Sequence, residues 1–136
     1  MTERREWVFG AHRVHLEAPD VLWVDFNGAT NLDDAKRLLS IVQEVAVDGP
    51  VFVVVDIDGS VIDKPAREYF SKESSPEWLR GVIYVGTQRL QMASAKAVAF
   101  ALYLTGRLKG DVEFVTSGQA ARELIERKRA KAAAGR

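Results

Sequence analysis

"VFVVVDIDGSVIDKP", residues 51–65, is the stretch that decides the fold. Its first five residues are apolar without alternation, a pattern typical of a strand buried on both faces in the centre of a sheet. The strand is followed by polar and glycine residues that commonly form turns, Asp56, Asp58, Gly59, Ser60 and Asp63. Asp63 is well placed to cap a helix that begins near Pro65, because proline suits the first turn of a helix.

Strand and helix patterns alternate along the rest of the chain. Strand patterns cover residues 6–9, 12–18, 21–26, 50–56, 81–86 and 112–115. Helical patterns begin at Thr30 or Asn31, near Pro65, at residue 89 and after Ser117. Helices between successive strands imply right-handed crossovers and parallel pairing, whereas the first strands form a hairpin. We therefore predict an α/β fold with a mixed, mostly parallel sheet, an N-terminal antiparallel hairpin and about four helices.

The composition excludes several classes of protein. The 136 residues fit one domain, which we place at 1–126, followed by a basic and frayed tail at 127–136. The absence of cysteine excludes disulfides, thiol catalysis and cysteine-bound metal. The formal net charge is zero, so no nucleic-acid partner is expected. The chain has neither a secretory signal nor an apolar run of membrane-spanning length, and we expect a cytoplasmic protein.

The segment VVVDIDGSVID resembles the first motif of the haloacid dehalogenase superfamily. In that family the first aspartate is a nucleophile, the second is an acid/base, and Mg²⁺ joins them to the phosphate. The resemblance implies a Mg²⁺-dependent phosphohydrolase that uses Asp56 and Asp58. Two features argue against this resemblance. The family motif usually follows the first strand of the chain, whereas several elements precede Asp56 here, and only about one helix follows Thr116. That remainder leaves no place for the later lysine and the acidic pair that hold the metal.

A second resemblance covers nearly the whole chain. The element order, the length and the segments FNGATNLDDAKRLL, VVVDIDGSV, RGVIYVG and EFVTSGQAARELI are similar to the STAS domain. The match is closest to its divergent SpoIIAA-like, or STAS-SEC14-like, bacterial branch, which has the fold of anti-sigma factor antagonists. The family has Asp-Ser-Ser-Gly where a partner kinase phosphorylates a serine, whereas residues 63–66 here read DKPA. The resemblance implies a non-catalytic regulatory interaction domain, here without the usual phosphoserine switch.

The expected partner-binding surface surrounds the loop and the short helix after residue 56. Its residues are Asp56, Asp58, Ser60, Asp63, Lys64, Pro65, Arg67 and Tyr69. The expected partner is a protein, such as a regulatory kinase or an anti-sigma-like protein. The helix at 89–108 is apolar around much of its circumference, which favours a homodimer. Trp78, Phe100 and Tyr103 are the candidate interface residues.

Metal and lipid sites are the remaining candidates. His12 and His15 point to opposite sides of one strand, so we interpret both as surface histidines and expect no metal and no cofactor. The basic tail and the apolar helix leave open an alternative function, the binding of lipid or of a membrane surface.

Overall fold

A computed structural model describes residues 5–17, 19–57, 60–86, 96 and 111–134. The main strands are β1 (Arg5–Phe9), β2 (His12–Glu17), β3 (Val21–Asp25), β5 (Val51–Asp56), β7 (Leu79–Val85) and β8 (Asp111–Val115). Two three-residue strands, β4 (Gly28–Thr30) and β6 (Ser60–Ile62), stand apart from them. The helices are α1 (Leu32–Val45), α2 (Lys64–Glu73) and α3 (Gly118–Ala134). The predicted α/β class is confirmed. Of the helix predicted at 89–108 the structure describes only Lys96, which is helical, and the rest lies outside the described residues.

The six main strands form one mixed sheet in the order β1-β2-β3-β5-β7-β8. The pairs β1–β2 and β2–β3 are antiparallel, and β3, β5, β7 and β8 are parallel. The antiparallel N-terminal hairpin is thereby confirmed. The strand of the opening stretch, β5, has a parallel neighbour on each side, as its continuous apolar pattern predicts.

The sheet is covered on both faces, and the residues of β5 alternate between them. Val53 and Val55 pack with α1 and α2, and we call this side the α1/α2 face. Phe52 and Val54 pack with Ala121 and Ile125 of α3, and we call this side the α3 face. Every residue from Val51 to Val55 is buried, since a helix layer lies on either side.

Side chains next to the first residues of α1 and α2 fix where these helices begin. Asn31 accepts a hydrogen bond from the Asp34 amide at 3.0 Å, and Asp34 accepts one from the Asn31 amide at 3.0 Å, which completes a capping box. Asp63 accepts from the Ala66 amide at 2.9 Å, so its predicted role as the cap of α2 is confirmed. α2 continues to Glu73, beyond the predicted short helix.

Ion pairs fasten α3 to the strands beneath it. Arg122 donates to both carboxylate oxygens of Glu17 at 2.8 and 2.9 Å. Arg129 pairs with Asp20 at the start of β3, and Lys128 lies 3.6 Å from Glu113 on β8. α3 extends to Ala134, so it includes most of the segment 127–136, and the frayed tail expected there stays a prediction.

Candidate functional site

A two-stranded ribbon stands at the edge of the sheet where the parallel strands end. β4 follows β3 and β6 follows β5, and the two short strands pair in parallel, with Ala29 opposite Val61. Binding sites of open α/β sheets form outside the carboxyl ends of their strands, and the ribbon occupies that position. The sequence patterns did not predict it, since three residues are too few to show a strand periodicity.

Hydrogen bonds tie the ribbon to the start of α2. The Asp63 amide donates to the Thr30 carbonyl of β4 at 3.1 Å. The Arg67 guanidinium, one turn into α2, donates to the Ile62 carbonyl of β6 at 2.7 Å. The described end of the segment expected to be a turn therefore forms a short strand, Ser60–Ile62, and hydrogen bonds join both strands of the ribbon to one helix.

The structure brings together most of the predicted partner-binding residues around this ribbon. Four of them, Asp56, Asp63, Lys64 and Pro65, are exposed. Arg67 and Tyr69 are half-buried, and Tyr69 packs against the core of the α1/α2 face. Asp58 lies outside the described residues, and only the backbone of Ser60 is described. We call the exposed residues Asp56, Val61, Asp63, Lys64 and Pro65 the ribbon surface.

Val61 is a member of the ribbon surface that the sequence patterns missed. Its side chain is 66% exposed, although its neighbour Ile62 points into the core. The signal was present in the sequence, because the adjacent apolar pair of Val61 and Ile62 must point to opposite sides of an extended strand. The sequence alone does not predict a strand here, because the strand depends on pairing with β4.

His12 is not a surface histidine, and that interpretation was wrong. It is 2% exposed and packs edge-on against the rings of Phe9 and Phe26. Its Nδ1 accepts from the Asn27 amide at 3.0 Å, so the neutral ring carries its proton on Nε2, which lies 3.3 Å from Asp34. β2 runs antiparallel to β3, which brings His12 to the carboxyl end of the parallel strands.

His15 lies on the other side of the strand, as the three-residue spacing predicts. Its ring stacks on Trp23 at a centroid distance of 6.3 Å, on the α3 face. The two histidines therefore do not converge. Among the described residues, no three histidine, cysteine or acidic side chains are placed to hold a metal ion.

Of the other predicted interface residues, the structure describes Trp78, which does not join the ribbon surface. Trp78 lies in a 3₁₀ turn, Pro76–Trp78, where it is half-buried against the core of the α1/α2 face. Phe100 and Tyr103 lie outside the described residues. Because only Trp78 is described, the predicted interface of these three side chains stays a prediction.

A cavity of about 70 Å³ lies below the ribbon, between the sheet and the two helices of the α1/α2 face. Its wall includes Leu38, Leu39 and Val42 of α1, Phe70 of α2, and Val53 and Val55 of β5. Two residues that carry hydroxyl groups, Ser74 and Tyr84, also belong to the wall. Burial raises the pKa of Tyr84 to about 12, so its hydroxyl stays neutral at physiological pH.

Comparisons of the chain with protein-family models, with curated proteins and with solved structures find no match. The resemblance to the STAS domain therefore rests on the element order and on the quoted segments. Within the described residues, no helix combines the length and the apolar composition that crossing a lipid bilayer requires.

Proposed function

We propose that the chain is a non-catalytic, cytoplasmic regulatory domain that binds a protein partner through the ribbon surface. The partner class implied by the STAS resemblance is a regulatory kinase or an anti-sigma-like protein. The observation that supports the proposal best is the hydrogen-bonded geometry of the ribbon surface, whose residues lie on strands and at the capped start of α2. A surface ordered before binding loses less conformational entropy when its partner docks.

The residues of the ribbon surface suit a protein partner in their chemistry. Val61 offers exposed apolar area between charged neighbours. Lys64 is 3.9 Å from Glu68, and both side chains are more than half exposed, so each is accessible to a partner. An apolar contact bordered by charged groups is the usual arrangement of a protein interface with a polar rim.

Catalysis is a weaker interpretation because the nearby titratable groups already serve the fold. The Asp63 and Asp34 carboxylates cap α2 and α1. Both ring nitrogens of His12 have partners within the protein. A general base needs a free lone pair within reach of the substrate proton, and the hydrogen bonds that these groups already accept within the protein make them weaker bases.

The phosphoserine switch of the STAS family does not fit the start of α2. Lys64 and Pro65 stand where the family has its serines, and the Asp63 carboxylate already accepts a hydrogen bond at this helix terminus. Neither the lysine nor the proline side chain has a hydroxyl group that a kinase could phosphorylate. We therefore propose that binding at the ribbon surface is not controlled by phosphorylation at the start of α2.

Site-specific photocrosslinking in the source cells tests the ribbon surface. A photoreactive amino acid replaces Val61 in one variant and Val47 in a control variant. Val47 is 81% exposed and lies in the turn after α1, near the opposite edge of the sheet. We expect a discrete protein adduct from position 61 and none from position 47. Equal labelling from both positions, or none from position 61, contradicts the proposal.

Charge substitutions then test the contact without disturbing α2. Lys64→Glu reverses an exposed charge, and we expect it to abolish the adduct from position 61. Lys72→Glu, which reverses an exposed charge in the last turn of the same helix and outside the ribbon surface, is the matched control and should keep the adduct. Asp63→Lys is unsuitable for this test, since it removes the cap of α2 together with the charge. An adduct with a second copy of the chain would show that the ribbon surface forms a homodimer.

A further inference from the structure

The wall of the cavity on the α1/α2 face is least buried at one place. Most of its lining residues are buried, whereas Trp78 and Leu79 are half-buried. These two residues lie at the start of β7, at the sheet edge opposite the ribbon. We infer that the cavity opens beside Trp78 and Leu79.

The polar groups in the wall give water little to bind. The Ser74 hydroxyl already donates to the Phe70 carbonyl at 2.6 Å. Tyr84 contributes a neutral hydroxyl, and its ring stacks on Phe114. A buried water is stable where two to four polar groups bind it, and cavities lined by apolar side chains stay dry. The wall therefore favours an apolar occupant over solvent.

The volume limits the size of that occupant. A cavity of about 150 Å³ in another protein holds a six-carbon ring, so by proportion one of about half that volume holds about three carbons. The cavity measures about 70 Å³. A long acyl chain exceeds this space, and a charged group would lose its hydration without gaining a partner.

We propose that this cavity is a binding site for a small apolar molecule of about three carbon atoms, which enters past Trp78. Its inner end is lined by Ile62 of β6, the residue after Val61. An occupant therefore contacts the inner side of the ribbon. The site does not depend on the proposed partner, because it is defined by core residues whether or not a protein binds outside.

Xenon under pressure, followed by methyl and fluorine NMR on the full chain, tests the site directly. We expect saturable shifts at the methyl groups of Val53 and Val55, which line the cavity. Val54 and Ile83 face α3 and serve as internal references in the same sample. With 5-fluorotryptophan incorporated, the Trp78 signal is expected to shift, and the Trp7 and Trp23 signals are not.

Two matched substitutions on one strand distinguish xenon binding in the cavity from nonspecific binding of xenon elsewhere in the core. Val53→Leu places an extra methylene in the cavity, and we expect the xenon shifts to disappear. Val54→Leu adds the same group on the α3 face, and the shifts are expected to remain. If either variant fails to fold, the contrast between the Val53 and Val54 methyls in the unaltered protein decides the question.

Two outcomes overturn the proposal. One is the absence of saturable shifts at the lining methyls, and the other is a set of equal shifts on both faces. The size limit is checked with cyclopropane and benzene, and we expect benzene to bind about tenfold more weakly, because overfilling a packed site strains it. Failure of this site would leave the crosslinking result at position 61 unaffected, so the two proposals can fail separately.

Discussion

The two faces of the central sheet are built differently. Among the described residues, the α3 face is covered by α3, which ion pairs hold in place, with Arg122 stacked 4.5 Å above the Trp23 ring. The described helices on the α1/α2 face are α1 and α2, whose first turns are held by capping hydrogen bonds, and this face contains the cavity. The ion pairs of α3 are spread along the helix, whereas the capping contacts of α1 and α2 lie at one end of each.

This difference shows how one apolar strand can contribute to two cores that are packed differently. Val53 and Val54 are neighbours of the same type, yet they lie on opposite faces of β5. The strand supplies equal apolar groups to both sides, and the covering helices decide how tightly those groups are packed. The two faces should therefore respond differently to matched substitutions.

The histidines on β2 provide the largest expected contrast between the faces. His12→Phe removes the acceptor of the Asn27 amide and the partner of the Asp34 carboxylate. Because a hydrogen bond to a charged group is lost, we expect the free energy of unfolding to fall by about 2 kcal/mol. His15→Phe keeps an aromatic ring stacked on Trp23, and its effect should be a fraction of that. Urea denaturation at neutral pH measures both, and equal losses would contradict the contrast.

The valines of β5 should respond to enlargement with opposite signs. Val54→Leu overpacks the α3 face, where we expect a loss of about 1 to 2 kcal/mol in the free energy of unfolding. Val53→Leu fills part of the cavity, and a gain of about 0.5 kcal/mol is expected. Thermal and urea denaturation of the two variants provide the comparison. A loss at both positions would mean that the α1/α2 face is packed as tightly as the other.

Each face also contains one buried polar atom that lacks a hydrogen-bond partner in the described part of the chain. On the α1/α2 side it is the Thr30 hydroxyl, and on the α3 side it is Trp23 Nε1, which approaches Glu17 without reaching hydrogen-bond geometry. Thr30→Val keeps the shape and removes the unsatisfied hydroxyl, so we expect a gain of about 1 kcal/mol in the free energy of unfolding. Thr116→Val, at an exposed position, is the control and should give no gain. A loss at Thr30 would show that its hydroxyl has a stabilising partner.

The Arg122–Glu17 pair gives the smallest expected effect. Burial alone would raise the pKa of Glu17, but the hydrogen bonds and the charge of Arg122 lower it below its usual value. The stabilisation is therefore complete above the usual titration range of a carboxylate and is lost as the pH falls through the lowered pKa. Both side chains are about half exposed, so we expect Arg122→Gln to cost only about 0.5 kcal/mol at pH 7.

An NMR titration of the Glu17 carboxyl group checks this pair. In Arg122→Gln the pKa of Glu17 should move upward, and the stability difference from the unaltered protein should vanish in acid. Arg127→Gln changes an exposed arginine on the same helix and should leave the Glu17 titration unchanged. An unchanged titration in Arg122→Gln would show that the ion pair does not hold the helix in solution.

Local patterns predicted most of the fold. The apolar run of β5 predicted its central position, and the Asp63–Pro65 spacing predicted the start of α2. These features depend on residues that are neighbours in the chain. The predicted partner-binding residues lie close together because they are near neighbours in the chain, directly after β5.

Features that join distant segments could not be predicted in this way. His12 is buried because Asn27 and Asp34 meet it from 15 and 22 positions further along the chain. The ribbon depends on pairing between two segments that each contribute three residues. The cavity depends on the spacing of α1 and α2 above the sheet, which no pattern within either helix specifies.

Because the ribbon is small, it should open by local unfolding more often than the main sheet does. Gly28 pairs with Ser60, 32 positions further along the chain, and the two strands contribute only three residues each. Pairing of β3 with β5 already holds the two segments close together, but few backbone hydrogen bonds keep the ribbon itself closed. The ribbon should therefore open by local unfolding while the main sheet stays intact, with its amides exchanging hydrogen faster than those of β5. A bound partner would slow that exchange, so protection of the Asp63 amide would report occupancy of the surface.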